Sequence, residues 1–163
     1  GKSQRHQSNQ MIHKKSVKVI IPSNKLGEAE QLFVKHYQKC ATRFGGFELI
    51  MCKPSARNHR DLKLSEEAKT IYELTPKSAY TIALDERGKT FDTQTLAKKL
   101  SFETNLCFWI GASDGLCPNL IKTANLHLSL SALTMTHQLA LALVSEQIYR
   151  ILSIANQHPY HRD

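Results

Sequence analysis

Residues Leu106–Ile110 read Leu-Cys-Phe-Trp-Ile, with no polar side chain among them. A strand of that kind has no face to offer water, so it belongs inside a sheet covered on both sides, which is the habit of parallel sheets flanked by helices. The rest of the chain must supply neighbouring strands and two covering layers.

The pattern supplies them. Val17–Ile21 is a β-branched run ended by Pro22, and between Gly27 and Arg43 the residues Ala29, Leu32, Phe33, His36, Tyr37 and Cys40 fall at helical spacing. Gly45 and Gly46 break the chain before a second strand, Phe47–Met51, and Lys53–Lys63 reads as a polar, basic connection. Ser65, with Glu66 and Glu67, opens a short helix that reaches Leu74 and stops at Pro76. Tyr80–Leu84 is a third strand closed by the turn Asp85–Gly88, and Asp92 or Thr93 caps a helix through Leu100. After the apolar run, Pro118 starts a brief helix and Leu126–Leu130 forms the last strand. From Thr136 to Asn156 the pattern is helical, and Leu139, Leu141, Leu143, Val144, Ile148, Ile151, Leu152, Ile154 and Ala155 cover most of its circumference. Such a helix needs burial on most sides, with the sheet on one and a second copy of the chain on the other. The expected fold class is α/β, a parallel sheet with helices on its faces.

A chain of 163 residues suits one domain. Residues 1–16 carry Lys2, Arg5, Lys14 and Lys15 and no acid, which reads as a loose basic tail, native or vector-derived, ahead of a single domain over residues 17–163. The longest apolar run, Leu139–Val144, is too short to span a bilayer, so no membrane is expected. Cys40, Cys52, Cys107 and Cys117 form no close pair, which argues for a reducing, cytoplasmic setting and against structural zinc or any other metal. Lys and Arg number 22 against 14 Asp and Glu, a balance that favours polyanions such as nucleic acid as partners.

In open parallel sheets ligands bind beyond the carboxyl ends of the strands. Three such ends carry small or polar residues here: Leu84-Asp85, Gly111–Gly115 and Ser129–Thr136. Gly111 and Gly115 allow close backbone approach, and Ser131 and Thr134 add hydroxyls; tight turns linking strands to helices fit the same residues. Neither a dinucleotide fingerprint nor a P-loop is present. His158-Pro159-Tyr160-His161-Arg162 groups side chains that can stack on a base, take a proton and hold a phosphate, although a solvated terminus fits as well. His137 opens the last helix, whose positive end favours a neutral, base-competent ring, or it has no chemical task there. Lys53, Arg57, Arg60 and Lys63 form either a grip on an RNA backbone or a solvated face.

Four ordered strings then make the chain recognisable: Leu84–Lys89 (Leu-Asp-Glu-Arg-Gly-Lys), Ile110–Leu116, Leu128–Leu139, and Glu146–Arg150 with His158–Arg162. Together they resemble the ribosomal RNA large subunit methyltransferase H family, strongly after Tyr80. The resemblance implies a SPOUT fold, in which a parallel-sheet core carries a deep C-terminal trefoil knot, a rare exception to the unknotted rule. It implies S-adenosyl-L-methionine held by Leu84, Gly111, Ala112, Ser131, Ala132, Leu133, Thr134, Met135 and Thr136. It implies chemistry at His161, His137 and Tyr160, RNA contacts from Arg150, Arg162 and His158, and a homodimer joined through the C-terminal helix. The implied reaction methylates N3 of a pseudouridine in 23S ribosomal RNA on the assembled ribosome. A non-catalytic RNA-binding member that assists ribosome assembly is the second expectation.

Overall fold

The computed structural model describes residues 14–161. Five strands, β1 (Ser16–Pro22), β2 (Glu48–Cys52), β3 (Tyr80–Lys89), β4 (Asn105–Trp109) and β5 (Leu126–Leu128), make one sheet in the order β2-β1-β4-β3-β5 with every pair parallel. The helices are α1 (Glu28–Ala41), α2 (Arg60–Leu74), α3 (Thr93–Lys99), α4 (Pro118–Thr123) and α5 (His137–Ala155). A single 3-10 turn, Thr42–Phe44, follows α1 and ends at Gly45.

The apolar run behaves as its composition requires. Along β4, Leu106, Phe108 and Ile110 face one layer while Cys107 and Trp109 face the other, because successive side chains of a strand point to opposite sides. The first layer is α1, α3 and α5, which contribute Val34, Leu96, Leu141, Val144, Ile148 and Leu152 against Val19, Ile21 and Ile82 of the sheet. The second is α2 and α4, with Ile71 and Leu120 packed on Ile20, Ala83, Cys107 and Trp109. Both faces of β4 are buried from Leu106 to Trp109. Trp109 keeps its indole N–H satisfied by donating 2.9 Å to Thr75 Oγ1.

The structure departs from the expected elements in four places. Helix α2 opens at Arg60, so Ser65 lies inside it; Leu64, Glu67 and Ile71 give it a buried side, and Glu67 accepts a 2.9 Å bond from the Ser55 amide. The expected turn at Asp85–Gly88 does form, with the Asp85 carboxylate accepting from the Arg87 amide at 3.0 Å, but it is a bulge inside β3. Leu84 and Lys89 both pair with Leu128 on either side of it, and a side chain on Gly88 would meet the His127 backbone at 2.8 Å. Helix α1 turns Leu32, Phe33 and His36 outward, leaving Val34 and Ala41 as its fully buried residues. Lastly, α5 finds most of its cover within the chain: Leu141, Ala142, Val144, Ile148, Tyr149, Ile151 and Leu152 are buried, and only a stripe through Leu139 and Leu143 is exposed.

The basic segment joins the fold at Lys15. Its ammonium is buried and donates to three backbone carbonyls just beyond α3: Leu100 at 3.2 Å, Ser101 at 3.1 Å and Glu103 at 2.7 Å. A cation there satisfies carbonyls that the helix end leaves unpaired. Residues 1–13 and 162–163 lie outside the described residues.

Candidate functional site

Strands β4, β3 and β5 are neighbours and parallel, so their carboxyl ends open side by side. Leu84 pairs with Leu128 and follows directly on Ala83, which pairs with Trp109; the loops after β4 and β5 therefore flank it. This brings together the three segments singled out in the sequence. Gly111 is packed so tightly that a Cβ there would sit 2.3 Å from the Gly115 carbonyl carbon, and Gly115, at φ +77°, closes the turn by donating its amide to the Ala112 carbonyl at 2.9 Å. Both glycines are thus required by geometry. Asp114 in the same turn pairs with Lys63 of α2 at 3.3 Å.

The loop after β5 is shaped by serines. Ser129 donates to the Ser131 carbonyl at 3.0 Å, and the Ser131 hydroxyl accepts from the Leu133 amide at 2.9 Å. Ala132, Leu133 and Thr134 stand exposed while Ser131 and Met135 are half-buried. Thr136 ends the loop as the N-cap of α5, accepting from the Leu139 amide at 3.2 Å, and places half-buried His137 on the first turn. A cavity of about 160 Å³ reaches the start of this loop, between Phe91, Phe108, Ser129, Leu130, Leu143 and Gln147. A wider groove of about 590 Å³, lined by Lys18, Gln38, Lys39, Thr42 and Gly46, lies at the amino ends of β1 and β2. Strand ends of that kind are the wrong edge for a ligand of a parallel sheet, so the carboxyl-end loops remain the candidate site.

The C-terminal residues fold back onto α5. Gln157, at φ +55°, terminates the helix, with its amide donating to the Ile154 carbonyl at 3.0 Å and that of His158 to Ser153 at 2.8 Å. The Tyr160 ring then packs on Tyr149 at 4.4 Å between centroids, under the Arg150 guanidinium at 5.0 Å. Its hydroxyl donates to Glu146 Oε1 at 3.2 Å and lies 3.4 Å from the Tyr37 hydroxyl of α1. Burial first, then Tyr37 and Glu146, raise its phenol above the ordinary tyrosine range. Arg150 donates through Nη1 to Nδ1 of His161 at 3.0 Å and through Nε to Glu146. His158 meets Arg43 Nη1 at 3.3 Å and stands edge-on to Phe44.

The expected tail residues thus form one cluster with Arg150, except Arg162, which lies outside the described residues. The cluster is apart from His137 in the same chain. From His137 to Glu146 is 146 − 137 = 9 residues, roughly 14 Å along the helix and half a turn around it. Tyr37, Arg43 and Glu146 belong to the cluster and were given no site role in the sequence. Glu146 carried a signal, its i,i+4 spacing to Arg150, whereas nothing local points from Tyr37 to a residue over a hundred positions away. Of the basic connection, Arg57 is paired with Glu66 at 3.1 Å, Lys63 with Asp114, and Arg60 opens α2.

The profile of the family described as "Predicted SPOUT methyltransferase" matches residues 16–161, nearly all of the described chain. The chain belongs to the SPOUT methyltransferases. Within them it falls in the ribosomal RNA large subunit methyltransferase H family. A protein of that name from Neisseria gonorrhoeae (strain NCCP11945) is 34% identical to this SPOUT chain over 155 residues, covering 91% of it and 99% of the relative. Another, from Polynucleobacter necessarius, is 45% identical over 107 residues, 63% of this chain and 79% of the relative. The solved structure of "a probable methylase family protein" from Haemophilus influenzae aligns at a TM-score of 0.55 and 14% identity, covering 93% of this chain and 72% of that one, which shows a shared fold alone. The expected SPOUT parallel-sheet core flanked by helices is therefore present. No helix among the described residues is long and apolar enough to cross a membrane, and no cluster of potential metal ligands occurs among them.

Proposed function

We propose that this SPOUT methyltransferase acts on ribosomal RNA in the cytoplasm, using S-adenosyl-L-methionine to methylate N3 of a pseudouridine in the 23S RNA of the assembled ribosome. It does so as a homodimer joined through α5, with its C-terminal third drawn into the trefoil knot. One observation carries this: the likeness to the Neisseria protein named for ribosomal RNA methylation runs over 99% of that protein's length.

The donor set at the carboxyl ends of β3, β4 and β5 fits the cofactor. Leu84 and Leu133 offer apolar surface to a purine, the backbone of Ala132, Thr134, Met135 and Thr136 and the hydroxyls of Ser131 and Thr134 offer hydrogen bonds, and Gly111 and Ala112 allow close approach. The bound cofactor supplies a methyl group already activated on a sulfonium sulfur. What the protein adds is alignment of N3 with that methyl and an acceptor for the N3 proton.

Guanidinium only donates, so Nδ1 of His161 accepts from Arg150 and the neutral ring carries its proton on Nε2. His161 therefore donates to the substrate, and the proton from N3 goes to His137 at the mouth of the loop. Tyr160 stays a phenol and positions the tail. Arg150, Arg162 and His158 hold phosphate. Because tail and loop lie half a helical turn apart in one chain, the tail serves the pocket of the other subunit, and the exposed stripe at Leu139 and Leu143 gives the dimer its contact.

Labelled methyl transfer tests the reading. Radioactivity entering 23S RNA of ribosomes that contain the pseudouridine, and not of ribosomes that lack it, is expected; tight cofactor binding with no transfer to either would leave the non-catalytic alternative.

A further inference from the structure

Glu146 is nearly enclosed, with its side chain 15% exposed, and every bond it makes leads to the tail or to its anchor. One carboxylate oxygen accepts from both Arg150 Nε, at 2.5 Å, and the Tyr160 hydroxyl, at 3.2 Å. The other accepts from Gln147 Nε2 at 2.9 Å, and the Gln147 amide oxygen accepts in turn from Thr93 Oγ1 at 2.7 Å, tying the carboxylate to α3. A guanidinium is a rigid plane, so fixing its Nε fixes where Nη1 points. That nitrogen reaches Nδ1 of His161.

We propose that Glu146 is a positioning residue: it locks the plane of Arg150 over Tyr160, and through that plane holds His161 in the form protonated at Nε2. This rests on the role given above to the tail, but its first consequence is a state of the free protein. Without the carboxylate, Arg150 turns about its side-chain bonds and Nδ1 loses the donor that favours a proton on Nε2, so the share of rings protonated at Nδ1 rises. The tail then presents a donor in some molecules and an acceptor in others.

The test is the tautomer of His161, read from two-bond proton–nitrogen correlations of protein labelled in its histidines, at about pH 8.5, well above the ordinary imidazole value. His161→Asn assigns the signal. Wild type should show an unprotonated Nδ1 and a protonated Nε2, Glu146→Ala and the near-isosteric Glu146→Met a mixture, and Glu146→Gln, which keeps an oxygen for Arg150, the wild-type pattern. Glu146→Met carries the test if the alanine chain does not fold. In methyl transfer, Glu146→Met should lose about 100-fold in kcat with the KM for S-adenosylmethionine unchanged, since a misplaced group costs rate more than cofactor affinity. An unchanged His161 tautomer in folded Glu146→Met overturns the proposal whatever the activity does. A wild-type protein that transfers no methyl overturns the proposed function and leaves the tautomer result to stand or fall by itself.

Discussion

At φ +55°, Gln157 occupies a left-handed position that glycine fills without strain and that costs a residue with a side chain about 1 kcal/mol. Since its own side chain is exposed, Gln157→Gly should stabilise the protein by about 0.5–1 kcal/mol, raising the melting temperature by roughly 1–4 °C in calorimetry. A fall in the midpoint would contradict the reading of the helix end. Tyr160 makes a second prediction at this scale. Its folded pKa is raised by burial, by Tyr37 and by Glu146, so the folded protein holds that proton more tightly than the unfolded chain. Stability from this source is complete below about pH 10, the unfolded value, and is lost as pH rises through the folded one. Urea midpoints should therefore fall more steeply above about pH 10 in wild type than in Tyr160→Phe. The chemistry of these residues was legible in the sequence: an imidazole, a phenol and a guanidinium near the chain end announced themselves. What each bonds to was not, because Tyr37 meets Tyr160 only through the packing of α1 on α5, and Glu146 meets it only through the return of the tail onto α5. The same holds for Lys15, which read as one more basic residue of a loose segment and is in fact the cap on carbonyls some 85 to 88 positions later.

At the scale of elements, β4 was readable because the run Leu106–Ile110 is apolar on both faces, and α5 because its apolar residues wrap most of its surface. Ile148, 2% exposed, sits where α5 meets the sheet. Ile148→Ala should cost about 3 kcal/mol and lower the melting temperature by roughly 6–12 °C, while Leu139→Ala, on the exposed stripe, should leave the isolated subunit's stability within about 0.5 kcal/mol. Equal losses at both positions would show that the exposed stripe is as deeply packed as the core. Two element boundaries were hidden for identifiable reasons. The start of α2 was masked by a polar first turn, since its buried side appears only at Leu64. The continuation of β3 past Gly88 depends on a backbone approach to His127, which leaves no trace in hydropathy.

For the whole molecule, the sequence pattern carried the layer architecture, and the SPOUT family match agrees with it. The separation of His137 from the tail did not emerge from pattern, because it depends on the turns of α5 between His137 and Glu146, on which the tail folds back. The proposed function requires the tail of one subunit to complete the pocket of the other. The direct measurement mixes Ala112→Leu, whose pocket is filled, with His161→Ala, whose tail is disarmed, and follows methyl transfer to ribosomes after subunit exchange. Random pairing puts half of the dimers in the mixed form with one working site each, so about a quarter of wild-type activity should return from two inactive parents. A mixture as inactive as its parents, with exchange verified and wild type active, would contradict a site shared between subunits.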